Sequence, residues 1–96
     1  MHSNDFTRAE ARAAVGTTVV APAVGHNQER SAYGVPSRTT GLIVRAEQFP
    51  QHSERYELVV RWEGITATVF GRTRPLEHWI DKRDFRKLCR RQARTA

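Results

Sequence analysis

Apolar and polar residues alternate with a period of two through the middle of this chain, and the pattern lengthens near both ends. Tyr56, Leu58, Val60 and Trp62 alternate with Glu57, Val59, Arg61 and Glu63; Ile65, Ala67 and Val69 then alternate with Thr66, Thr68 and Phe70. A period of two marks a strand, because successive side chains point to opposite faces. A two-residue turn at Glu63-Gly64 would set Trp62 opposite Ile65, Val60 opposite Ala67 and Leu58 opposite Val69. All six would then share one face, so the pattern predicts a β-hairpin with Trp62 in the core. Its other face would carry Arg61, Thr66 and Thr68, with Val59 and Phe70 as apolar exceptions.

The same reading extends outward. Leu42, Val44 and Ala46 alternate with Ile43, Arg45 and Glu47, predicting a strand over about 40–48, followed by a loop over 49–54. The β-branched stretch 17–20, closed by Pro22, predicts a first strand. Before it, Thr7-Arg8-Ala9-Glu10 has the capping-box form and Gly16 stands where a helix would stop, so 7–15 is expected to be a short helix. Residues 23–39 are polar, contain Gly and Pro and show no period; a loop of that length is either functional or disordered. Residues 71–75, ending in Pro75, are expected to break the strand, and 76–80 to form a short helical turn. Asp81 can cap a final helix over about 81–92. At 100° per residue, Phe85, Leu88, Cys89 and Gln92 fall on one face and Arg83, Arg86, Lys87, Arg90, Arg91 and Arg94 on the opposite arc.

Charge changes this picture more than composition does. The chain has 96 residues, 39% hydrophobic and 27% charged, which fits one small globular domain. Its net charge is +6, and residues 81–96 hold seven Lys/Arg against two Asp, a net of +5. A charge so concentrated points to an anionic partner. No apolar run approaches a membrane span, and from the polar start, with Asp5 and Glu10, no secretory signal is expected. With one cysteine, Cys89, no internal disulfide can form, and a reducing, cytoplasmic setting is expected.

Other chemistries find little support. His2, His26, His52 and His78 are scattered without ligand spacing, so no metal is expected, and no phosphate-cradling glycine pattern occurs. Cys89 beside Phe85 and Leu88 reads as a core contact rather than as a nucleophile paired with His78. No catalytic residue, cofactor or enzymatic activity is expected. Six or so cations on one helix face would neutralise several phosphates. The expected nucleic-acid contacts are Lys82, Arg83, Arg86, Lys87, Arg90, Arg91 and Arg94, extended by Arg72 and Arg74. Tyr33 and Phe49 lie in loops and either stack on bases or pin those loops. Trp79 is expected to anchor the last helix. Val59 and Phe70 mark a candidate protein interface.

The segments "TTGLIV", "YELVVRWEG", "TATVFG" and "PLEHWIDKRDF", in that order, resemble a small SH3-like barrel. The opening "TRAEARAAVGTTVVAP" resembles small bacterial or phage proteins of that kind, and "SRTTGLIVRAE" to "YELVVRW" is similar in layout to KOW and Tudor-type modules. The resemblance implies a mainly β fold: a barrel of about five strands over 16–80, with an N-terminal helical arm (1–15) and a basic C-terminal helix (81–96) as one domain. It also implies a habit of binding nucleic acid or peptides. The expected function is a non-enzymatic module that contacts DNA or RNA. The alternative is a protein-interaction or inhibitor module of phage or mobile-element origin that binds an acidic protein surface.

Overall fold

The computed structural model describes residues 5–24, 27–31, 33–48 and 50–95, with side chains described outside 23–31 and 90–95. Helix α1 (Arg8–Ala14) begins at the expected capping box: the Glu10 amide donates to Thr7 Oγ1 at 3.2 Å and the Thr7 amide to Glu10 Oε1 at 3.0 Å. Phe6 before the cap and Ala11 in the second turn are both buried, at the positions of a hydrophobic staple. Strand β1 (Thr18–Val20) follows, then the short strands β2 (Ala23–Val24) and β3 (Asn27–Ser31), which pair only with each other. The aperiodic segment 23–39 therefore contains a two-stranded sheet.

Strands β4 (Thr40–Gln48), β5 (Tyr56–Val69) and β6 (Arg72–Ile80) join β1 in an antiparallel sheet of order β1-β4-β5-β6, and helix α2 (Lys82–Thr95) closes the chain. The chain is mainly β with two flanking helices, as expected. Its main sheet has four strands and is open, with β1 and β6 as edges, where a closed barrel of about five had been expected.

The hairpin turn is not at Glu63-Gly64. Strand β5 runs through that point, and the reversal comes at Phe70-Gly71. Leu58 pairs with Ile80, Val60 with His78, Thr66 with Pro75 and Val69 with Arg72. A type I′ turn needs positive φ at both central residues. Phe70 (51°) and Gly71 (77°) meet that condition, whereas at 63–64 only Gly64 (74°) does. Glu63-Gly64 lies instead in a large irregular bulge: between Arg61↔Glu77 and Thr66↔Pro75, β5 has four residues where β6 has one. Residues 76–80 are strand rather than helical turn, and Pro75 is tolerated because β6 is an edge strand.

Leu58, Val60, Trp62, Ile43, Val19 and Ile80 form the core with Ala11, Ala14 and Leu88. Trp62 lies across Gly41, where an added Cβ would come within 2.6 Å of Val60 and 2.9 Å of the indole. The indole Nε1 donates to His78 Nδ1 at 2.8 Å, which requires His78 to be neutral at that nitrogen. Burial holds the His78 pKa below its ordinary 6.5. Helix α2 packs on β1 and more lightly on β6, burying Leu88 with Phe85 and Cys89 beside it. Phe85 meets Phe6 edge-on at 5.7 Å, so α2 is seated on both the sheet and the N-terminal segment.

Candidate nucleic-acid interface

Helix α2 starts with Asp81 accepting from the Asp84 amide at 2.9 Å, a side-chain cap. With Leu88 inward, the opposite arc faces solvent, and Arg83, Arg86 and Lys87 are exposed there. Lys82 differs from them: its ammonium lies 2.6 Å from Glu10 Oε2, tying α2 to α1. Lys82, followed by the Thr7 amide, holds the Glu10 carboxyl down at about 2. Arg90, Arg91 and Arg94 lie on α2, but their side chains fall outside the described residues.

The cations divide into two classes. On the sheet, Arg45 donates to Glu47 and to Glu77 at 3.0 Å each, and Arg61 donates to the other Glu77 oxygen. Trp79 donates to Glu47 at 2.7 Å. Arg45 lowers the pKa of Glu77 with help from Arg61, and that of Glu47 with help from Trp79. Arg55 pairs with Asp5 at 3.1 Å. Among the described residues, Arg83, Arg86 and Lys87 of α2 and Arg72 and Arg74 of β6 form no ion pair, nor do Arg8 and Arg12 of α1 and Arg38. The sheet cations stabilise the outer sheet face, while the second set is left facing water.

Arg72 and Arg74 belong to a distinct part of the molecule. Trp62 pairs with Gly41 near the start of β4, and beyond it β5 pairs only with β6. The ribbon 66–75 therefore stands clear of the four-stranded sheet; Ala67 alone in it is half-buried and the rest are exposed. Pairing puts Ala67, Val69, Arg72 and Arg74 on one face and Thr66, Thr68, Thr73 and Pro75 on the other. The Thr68 and Thr73 hydroxyls meet at 3.1 Å across the second face. At the apex Phe70 is 100% exposed, and Val69 is 60% exposed. An apolar cleft of about 520 Å³ opens at the base of this arm, between Leu42, Trp62, Ile65 and Pro75. The arm starts at the Glu63-Gly64 bulge. An X-Gly pair inside an unbroken alternation was its only trace in the sequence.

The other expected site residues fall elsewhere. Tyr33 is half-buried against Trp62 (5.5 Å) and His78 (5.9 Å), which pins its loop; burial, then the charges of Asp84 and Asp81, push its hydroxyl up to about 12. Phe49 lies outside the described residues. Val59 is fully buried and offers no surface: its register neighbours Arg45 and Trp79 share its face, within the Glu47–Glu77 network. Trp79 is half-exposed and bonded to Glu47 rather than anchoring α2. Cys89 packs against the core, and burial raises its thiol pKa.

Near the start of α2, burial and the neighbouring Asp81 raise the Asp84 pKa, and burial with Asp81, Asp5 and Asp84 raises that of Glu57. Among the described residues no group of His, Cys, Asp or Glu has metal-binding geometry. Among the described residues no helix is long and apolar enough to cross a membrane. Compared with family models, curated proteins and solved structures, the chain finds no match.

Proposed function

We propose that the protein is a nucleic-acid-binding module that grips phosphates with the outer arc of α2. The observation that carries this reading is the division of its cations. Arg45, Arg55 and Arg61 are ion-paired with carboxylates, whereas Arg83, Arg86 and Lys87 are exposed and form no ion pair among the described residues, Asp84 acting on Arg83 and Lys87 only through its charge. A helix whose buried face is fixed by Leu88 presents those charges at set positions, which favours docking on a charged backbone over non-specific attraction alone. In this reading the mainly β body is an SH3-like scaffold that holds α2 and the arm in fixed relation.

Substitution separates the two classes of cation. R83Q/R86Q/K87Q is expected to weaken DNA or RNA binding at least tenfold, while R55Q, which removes a cation already paired with Asp5, leaves it within about twofold. Equal loss in both variants would mean that net charge alone drives binding, and unchanged affinity in the triple variant would remove α2 from the contact.

A further inference from the structure

We infer that the 66–75 arm is a wedge for double-helical DNA, with Phe70 entering a base step and Arg72 and Arg74 neutralising the adjacent phosphates. Phe70 stands alone at the apex, wholly exposed, at φ 51°, a backbone conformation that suits Asn or Gly and disfavours Phe. Neither the turn nor the core gains from a phenyl ring there. Behind it Arg72 and Arg74 share one face of the ribbon, and no carboxylate occurs from 65 to 75. The arm is thus apolar at its tip, and the only charges along its flank are positive.

That combination selects among partners. A protein interface buries a broad apolar centre, and this arm offers only Phe70 and Val69 above a flank of Thr and Arg. Single strands are gripped by successive aromatic rings along a groove, whereas here one ring sits on a point. A two-stranded ribbon fits a groove of duplex DNA, and an apolar side chain at its end can part a base step and bend the helix. The neighbouring arginines then meet backbone phosphates brought close by that bend. This inference rests on the nucleic-acid reading above and adds the mode of binding.

The test uses the full chain and a duplex of about 25 base pairs carrying a central TA step, 2-aminopurine at that step and a fluorophore pair at the ends. Wild type is expected to raise 2-aminopurine fluorescence and shorten the end-to-end distance. F70N, which keeps every cation, should bind within about threefold yet produce neither signal, and F70W should restore both. Equal signals from F70N and wild type, or tight wild-type binding with neither signal, overturn the wedge while leaving phosphate binding by α2 intact. Binding confined to single strands or RNA overturns it in the same way. Absence of all nucleic-acid binding at about 50 mM salt overturns both readings.

Discussion

Phe70 shows how a single residue can be chosen against stability. A non-glycine residue in the left-handed region costs on the order of 1–2 kcal/mol, and Phe70 recovers none of it by burial. F70N should therefore raise unfolding free energy by about 1 kcal/mol in urea titrations while abolishing base unstacking. Gly41 is the opposite case, a residue required by packing. Gly41→Ala would drive a methyl group into Val60 and Trp62, and a destabilisation of about 1–3 kcal/mol is expected from the same titrations. His78 sets a pH limit. Its pKa is lower folded than unfolded, so its neutral, Trp62-bonded form contributes fully above about 6.5, and the contribution is lost as pH falls below that value toward the folded pKa. Thermal melts from pH 8 to pH 5 should show a drop in Tm that His78→Gln, which cannot titrate, reduces.

At the scale of elements, the sequence was most legible where alternation had clear ends. Strand β4 spans Thr40–Gln48 as its pattern indicates, and α1 begins where the capping box says. The inward face of α2 also follows its 3.6-residue period, with Leu88 buried and Phe85 and Cys89 against the core. Strand β5 misleads because its alternation runs through two X-Gly pairs, and local pattern cannot tell which one reverses the chain. The deciding fact is non-local: pairing β5 with 72–80 sets His78 and Ile80 beside Val60 and Leu58, and Pro75 conceals that second strand. Misplacing the turn also assigns Val59 to the surface, because parity gives the face of a side chain but not what covers it. An element-scale prediction follows from Lys82. Lys82→Ala removes the only ion pair linking α2 to α1 among the described residues, and should raise amide exchange in α2 while leaving exchange in β5 unchanged.

Across the whole molecule, charge is divided by task. Carboxylates take up the cations of the sheet face and Glu10 takes up Lys82, while Arg83, Arg86 and Lys87 of α2 and Arg72 and Arg74 of the arm form no ion pair among the described residues. Phosphate neutralisation has a signature that no structural role of these residues would share, the release of condensed counterions. The most direct measurement is therefore the dependence of duplex DNA affinity on salt concentration, for wild type and for R83Q/R86Q/K87Q. A steep linear fall of log K with log salt is predicted for wild type. The slope should be reduced by up to about 3 in the variant, roughly 0.9 for each phosphate that α2 no longer neutralises. Identical slopes for the two proteins, or wild-type affinity indifferent to salt, would contradict the account.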